Sequence, residues 1–255
     1  EEANDLEFAN HLGTLGDVYV NDAFSVSHRA HASVEAITRY LPSYAGLLMK
    51  RELETLERTL SYPARPLVAM VAGSKVSTKL ELLQSLVQKV DTLVLGGGIA
   101  NTFLAAQGID MKDSLVEHSM LDTAREILDK AKKINCHIVL PSDMRVASSL
   151  DTPKNSCVVD IHKLAPTQKA FDLGPTSIQT ILKTCDTAKT LIWNGPLGVF
   201  EIPPFDSATR EVALHIASLT RTGVLFSVAG GGETVAALMQ TGAGSGFSYL
   251  SQAGG

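Results

Sequence analysis

The chain has 255 residues, 45% hydrophobic and 19% charged, with a formal net charge of −5. That length suits one large or two small domains at about 100–200 residues each, and the composition excludes disordered, collagenous and repeat-array classes. No apolar run approaches the roughly 18–20 residues needed to span a bilayer, and the acidic start EEANDLEF is not the cationic opening of a signal peptide.

Three cysteines, Cys136, Cys157 and Cys185, lie far apart and form neither a CxxC pair nor an even-numbered framework, so buried reduced thiols in a cytoplasmic protein are expected. No membrane partner is expected. The negative charge, with no basic block, argues against a nucleic-acid partner. Residues 1–60 hold ten acidic and five basic side chains and residues 61–255 hold seventeen of each, so the first sixty carry the whole imbalance.

In chain order, LEFANHLGTLG reads as a helix and DVYVNDAF as a strand running into a loop. The segment VNDAFSVSHRAHAS (20–33) concentrates Asn21, Asp22, His28, Arg29 and His31. It suits a polar contact between domains, or a site where Arg29 clamps a phosphate or carboxylate bidentately. Residues 45–61 form a long helix stopped by Pro63, with Leu47, Leu48, Leu53, Leu56 and Leu60 as the apolar face and Lys50, Arg51, Glu54 and Arg58 opposite.

After Pro63 a short apolar run, a small-residue turn and a helical stretch recur. The strand candidates are 67–73, 92–98, 137–143, 190–196 and 225–231, and the helix candidates 77–90, 122–133, 175–185, 207–220 and 234–242. Runs without polar alternation suit strands buried on both faces of a parallel sheet. The expected fold class is α/β, a parallel Rossmann-like three-layer sheet domain with glycine turns at the strands' carboxyl ends, beside a partial second α/β domain. The expected divisions are an N-terminal remnant over 1–44, an interdomain helix over 45–61 and a C-terminal domain over 62–255. An apolar run at 247–251 would normally lead into another helix, so the chain reads as a fragment cut at both ends.

Four strand ends carry chemistry. GSKVSTK (73–79) places Lys75 and Lys79 one helical turn apart, where both ammonium groups can reach one polyphosphate; it also suits a helix start with two solvated lysines. It lacks Walker A spacing. GGGIAN (96–101) lets a flat base lie against backbone, and it resembles a dinucleotide-binding turn with Asn101 in place of the third glycine or alanine. WNGPLGVFE (193–201) makes a tight rim with Glu201 beyond, a ribose partner or a solvated carboxylate. AGGGET (229–234) opens a helix on Glu233 and Thr234, suited to phosphate oxygens and Mg²⁺, although Glu233 can simply oppose the helix dipole. Together they describe a cleft for a nucleoside triphosphate.

The strings NDAF, HRAHAS, PARPLVAMVAGSKVSTK, LVLGGGIANTFLAAQG, TLIWNGPLGVFE and VAGGGET, in this order and spacing, resemble the phosphoglycerate kinases of bacterial type over essentially all 255 residues. The resemblance implies a monomeric, two-lobed, Mg²⁺-dependent glycolytic enzyme that moves a phosphoryl group reversibly between ATP and 3-phosphoglycerate, giving ADP and 1,3-bisphosphoglycerate. It implies Arg29 as the 3-phosphoglycerate clamp of the N-terminal domain, Glu52 in the interdomain helix, Lys75 on the phosphoryl group in transit and Lys79 on nucleotide phosphates. Gly97, Gly98 and Pro196 would line the base pocket, Gly174 would lie near the nucleotide and Glu201 would bind ribose. Gly231, Gly232, Glu233 and Thr234 would hold phosphates and metal.

The chain departs from the family in three places. Glu233 stands where Asp is usual, Gln252 replaces a threonine in SYLSQAGG, and the family's opening portion and closing helix are absent from the sequence. A non-catalytic nucleotide-binding fragment or pseudoenzyme is the alternative expectation. A nicotinamide-dependent oxidoreductase is a third; Glu117 and Asp122 fall near its required acidic position, but the missing glycine and the lysine pair count against it.

Overall fold

A computed structural model of the chain describes residues 1–27 and 29–251, for Arg58 and Leu60 the backbone alone; His28 and Gln252 lie outside the described residues. The chain divides into two units, Glu1–Tyr62 with Ser251, and Pro63–Leu250.

In the first unit, α1 (Leu6–Gly13) is capped by Asp5, whose side chain accepts the Phe8 N–H at 2.7 Å. Two short parallel strands follow, β1 (Tyr19–Asn21) and β2 (Ser43–Ala45). Asp22 of the NDAF string accepts the Met49 N–H at 3.0 Å and so satisfies an orphan donor at the start of α2 (Leu47–Leu60). The buried face of α2 differs from the expected one. Leu47, Leu48 and Leu53 are exposed, while Met49, Glu52 and Thr59 are buried. Glu52 tolerates burial because it has a polar partner, Ser251, whose hydroxyl donates to its carboxylate at 3.0 Å.

The second unit is built on a six-stranded sheet in the order β11-β10-β9-β3-β4-β5. Its strands are β3 (Leu67–Ala72), β4 (Thr92–Gly96), β5 (His137–Val139), β9 (Thr190–Asn194), β10 (Phe226–Gly230) and β11 (Tyr249–Ser251). The pairs from β10 across to β5 are all parallel. Every residue of β3 is buried. Val68, Met70 and Ala72 enter one apolar core, and Leu67, Ala69 and Val71 enter another on the opposite face. That is why the strand reads as an unbroken apolar run.

The first core is shared with α6 (Pro175–Thr187) and α7 (Ser207–Arg221), and α8 (Gly232–Gln240) contributes Leu238 to it. The second is shared with α3 (Leu80–Leu86), α4 (Gly97–Ala106) and α5 (Leu121–Lys133). Helices on both faces make the three-layer α/β class expected from sequence. Because β4 and β5 lie to one side of β3 and β9 and β10 to the other, the strand order reverses between β3 and β9. A crevice opens at the carboxyl ends of strands at such a switch point.

Three local expectations are corrected. Residues 77–79 form a 3₁₀ turn and the helix begins only at Leu80, because Val76, fully buried, anchors the chain just before it. GGGIAN is no bare turn: α4 starts at Gly97, with Gly96 in extended conformation as its cap. The apolar run 137–143 divides between two sheets, β5 in the large sheet and β6 (Asp143–Ala147) in a separate antiparallel one. There β6 pairs with β7 (Cys157–Asp160) and β8 (Lys169–Leu173).

Candidate functional site

The registry of the sheet brings four glycine-rich strand ends side by side. Gly230 pairs with Asn194, Asn194 with Val71, and Ala72 with Gly96. The turns that follow these strands open together onto one crevice, across adjacent strands β10, β9, β3 and β4.

Lys79 sits at the switch point. Its Nζ donates to the Ala72 carbonyl oxygen at 2.8 Å, at the end of β3, and to Asn194 Oδ1 at the end of β9. Asn194 in turn donates from Nδ2 to Gly230 O at 2.9 Å, at the end of β10. Three strand ends are therefore tied through one ammonium group and one amide. Burial lowers the pKa of Lys79 below its ordinary value, and the negative charge of Glu233 opposes the shift. An incoming polyanion would reverse that shift, so the group is held ready for negative charge.

Gly195 follows Asn194 with φ +92°, and a Cβ there would stand 1.9 Å from the Ala72 carbonyl oxygen. No other residue type fits that approach. Its N–H donates to Thr234 Oγ1 at 2.7 Å and its carbonyl accepts from the Trp193 indole at 2.7 Å. The Thr234 hydroxyl thus holds the turn after β9, at the start of a helix whose first residues, Gly232 and Glu233, border the crevice.

Two hollows line this edge and meet at Glu233. The narrow one, about 230 Å³, is lined by Thr78, Lys79, Asn194, Gly195, Gly231, Gly232, Glu233 and Thr234. The wide one, about 550 Å³, has a floor of Gly73, Ser74, Gly97 and Gly98 and one wall from Pro196 and Gly198 to Glu201. Its other wall comes from Asp113, Leu115, Lys169, Ala170 and Phe171. A Cβ at Gly98 would lie 2.3 Å from the Ser74 carbonyl oxygen, so the floor is bare backbone by necessity. A flat apolar group with a polar edge fits the wide hollow, and a chain of anionic groups fits the narrow one.

Of the residues expected from sequence, Lys79, Gly97, Gly98, Pro196, Glu201, Gly231, Gly232, Glu233 and Thr234 line these hollows. Lys75 and Gly174 line neither. The expectation that Lys75 and Lys79 share a helical face is corrected, since α3 begins after both and Lys75 lies exposed. Gly174 caps α6, and a Cβ there would meet Asp143 Cγ at 2.3 Å. Arg29 is exposed and belongs to the first unit.

Sequence reasoning missed Leu115, Asp113, Lys169 and Phe171, and it weighed Glu117 only as the acidic position of a nicotinamide site. The Glu117 carboxylate accepts the Ser77 N–H at 2.9 Å and the Ser77 hydroxyl, bracing the lysine turn. Burial raises its pKa, but the bonds from Ser77 and Val76 and the charge of Lys75 outweigh that and hold it below its ordinary value.

No group of three or more His, Cys, Asp or Glu able to hold a metal occurs among the described residues. The narrow hollow offers one carboxylate, Glu233, beside room for anionic oxygens. One carboxylate with phosphate oxygens and water is a donor set that suits Mg²⁺, so the residues present fit that ion.

A profile of the family described as phosphoglycerate kinase matches residues 1–255. The chain is 54% identical over 255 residues to the phosphoglycerate kinase of Jannaschia sp. strain CCS1, matching all of this chain and 64% of that protein. It is 55% identical to that of Cereibacter sphaeroides strain ATCC 17029 / ATH 2.4.9, again over all of this chain and 64% of the relative. The solved structure of phosphoglycerate kinase from Coxiella burnetii superimposes with a TM-score of 0.91 at 43% identity, covering 100% of this chain and 65% of that one. The chain therefore spans about 64% of the length of these curated relatives.

Proposed function

From the premise that the chain belongs to the phosphoglycerate kinase family, we propose that its cleft binds ATP or ADP, base in the wide hollow and phosphates in the narrow one. In the full-length protein this site would transfer a phosphoryl group reversibly between ATP and 3-phosphoglycerate. The observation that carries the reading is the position of Lys79, bonded to the ends of β3 and β9 at the switch point with a helix N-terminus opposite.

Direct in-line transfer between two oxygens needs no covalent intermediate, so the protein's work is to position the partners and offset charge spread over the transferring oxygens. In this reading Gly97, Gly98 and Pro196 hold the base and Glu201 accepts the ribose hydroxyls. The amides of Gly231, Gly232, Glu233 and Thr234 face the phosphates. Lys79 neutralises the nucleotide's phosphates; Lys75, on the exposed turn before it, meets the phosphoryl group in transit. Gly174 is assigned near the nucleotide by the family resemblance alone. Glu233 would hold Mg²⁺ against the phosphates, where the ion would supply further positive charge to the transferring oxygens. Arg29 would clamp 3-phosphoglycerate.

A cytoplasmic, monomeric enzyme without nucleic-acid or membrane partners accords with this role; among the described residues no helix is long and apolar enough to cross a membrane. Titration calorimetry of this chain with MgADP tests the binding half, and a coupled assay on the full-length protein tests transfer. Saturable MgADP binding by this chain together with turnover by the full-length protein is the expected result. Binding without turnover in the full-length protein would favour a non-catalytic nucleotide-binding role, and no MgADP binding would overturn the reading.

A further inference from the structure

Position 101 is where a dinucleotide-binding turn takes a glycine to bring helix and strand together, and asparagine there has a different use. Gly98, Asn101 and Thr102 share one face of α4, being three and four residues apart. Gly98 is floor of the wide hollow, and beside it the other two hold the irregular segment between α4 and α5. Asn101 Nδ2 donates to the Leu115 carbonyl oxygen at 3.2 Å. The Thr102 hydroxyl donates to Gly98 O at 2.8 Å and accepts the Glu117 N–H at 3.0 Å. From β8, the Ala170 N–H donates to Ser114 Oγ at 2.9 Å. Asn101, Thr102 and Ser114 are all buried, yet Leu115, fastened among them, is 53% exposed. It lines the hollow, and a Cβ on Gly98 would stand 3.1 Å from its Cδ2, so an apolar side chain overhangs the bare floor.

We propose that Asn101 is a positioning residue for the nucleoside end of the cleft, acting through Leu115. Its amide fixes the Leu115 backbone, with Ser114 and Glu117 held on either side, so that the leucine stands over Gly98 as one jaw of a slot whose other jaw is the glycine floor. The inference rests on reading the wide hollow as the nucleoside site. A half-exposed leucine on a loop without regular structure would otherwise have to be ordered when a ligand arrives, and the lost backbone and side-chain entropy would come out of the affinity. The bonds on both sides meet that cost during folding. A flat base entering the slot then covers Leu115 and gains its apolar area, whereas a phosphate chain gains nothing from it, since Leu115 lines only the wide hollow. Asn101 also borders the hollow but is 3% exposed, so it acts from behind Leu115 rather than on the ligand.

The test is a double-mutant cycle on this chain with two probes, adenosine for the wide end and inorganic tripolyphosphate for the narrow end. Asn101→Leu keeps the bulk of the side chain and removes its donor, and Leu115→Ala removes the jaw. Adenosine affinity is expected to fall about fivefold in Asn101→Leu and about tenfold in Leu115→Ala, with tripolyphosphate within about twofold in both. In the Leu115→Ala background, adding Asn101→Leu is expected to cost less than about twofold more. A further loss of about fivefold in that background would mean that Asn101 meets the nucleoside directly or supports the fold at large, and would overturn the proposal. Equal loss of both probes in Asn101→Leu, or unchanged adenosine affinity in either single variant, would overturn it too. If Asn101→Leu fails to fold, the same cycle is run with Ser114→Ala, and Ser114→Thr should restore adenosine affinity by returning the hydroxyl. A Ser114→Ala loss that persists in the Leu115→Ala background, or that Ser114→Thr leaves in place, counts against the proposal in the same way. Failure of the wild type to bind adenosine would instead sink the nucleotide reading beneath it.

Discussion

The narrow and wide ends of the cleft are built in opposite ways. At the narrow end, backbone and a few short polar groups interlock: Lys79, Asn194, Gly195 and Thr234 bond one another or neighbouring strand ends, with hardly any apolar side chain involved. At the wide end the floor is backbone, and the walls come from a rim turn, from the loop holding Asp113 and Leu115, and from a separate antiparallel sheet. The contrast teaches that interlocked backbone geometry gathers where, in the proposed reading, the charge of the phosphates is met. The side-chain walls gather where, in the proposed reading, a flat apolar group is held by area.

The comparison breaks most severely at Gly195. Alanine there would place its Cβ 1.9 Å from the Ala72 oxygen at a φ of +92°, so the strand ends must part. The expected loss is ~3 kcal/mol or more, read as a fall of roughly 10 °C in thermal unfolding. Gly232→Ala is the counterpart. No atom lies within 4 Å of its Cβ position, so unfolding should shift by less than about 0.5 kcal/mol. Tripolyphosphate affinity should still drop several-fold, because the added methyl occupies the narrow hollow. Calorimetric unfolding and tripolyphosphate titration of both variants separate what the fold needs from what the ligand needs.

Lys79→Ala comes next. It removes the ammonium that the proposed reading sets against phosphate and takes from Asn194 Oδ1 and the Ala72 carbonyl the Lys79 donor. Tripolyphosphate binding should weaken about 30- to 100-fold, equivalent to ~2–3 kcal/mol, while adenosine binding stays within twofold. Because burial lowers the Lys79 pKa, tripolyphosphate affinity should decline as pH rises through a range below that of an ordinary lysine. Lys79→Arg should abolish that decline. Equal weakening of both probes in Lys79→Ala would erase the distinction between the ends.

The sequence made the narrow end legible because its parts are local. Each glycine turn follows its own strand within a few residues, and β3's unbroken apolar run already required two covered faces. The wide end was hidden because its walls are contributed from afar. Leu115 and Phe171 stand in no glycine motif, and β7, mostly exposed, lacks an apolar run to announce it. Helix α2 misled for a related reason. Its leucines outnumber the residues at Met49, Glu52 and Thr59, and only a distant hydroxyl, Ser251, explains why a glutamate faces inward. The two lysines misled through spacing: four residues mean one helical turn only where the chain is helical, and here it is not until Leu80.

Glu117 offers a sharper probe, since it belongs to both ends. Its carboxylate braces Ser77 in the lysine turn, and its N–H donates to Thr102 Oγ1 at 3.0 Å, fixing the segment that carries Leu115 into the wide hollow. Glu117→Ala removes the brace on Ser77 but keeps the backbone N–H to Thr102, so tripolyphosphate affinity should weaken about threefold to fivefold, roughly 1 kcal/mol, while adenosine stays within about twofold. An equal loss of adenosine affinity would show that the turn and the wall are mechanically coupled.

The smallest expected change is at Glu233, where the two hollows meet. Its charge acts on Lys79, and its side chain is exposed at the start of α8. Shortening it by one methylene withdraws the carboxylate from the crevice toward the helix end, where it still complements the dipole. Glu233→Asp should therefore leave stability and metal-free tripolyphosphate binding within about twofold. What should move is the Mg²⁺ dependence: the concentration of Mg²⁺ that half-enhances MgADP binding should shift by about threefold, because a cation demanding near-octahedral geometry tolerates little displacement of its only protein carboxylate. An unchanged Mg²⁺ dependence in Glu233→Asp, and again in Glu233→Gln, would remove this residue from metal binding and leave the joint between the hollows to Lys79 alone.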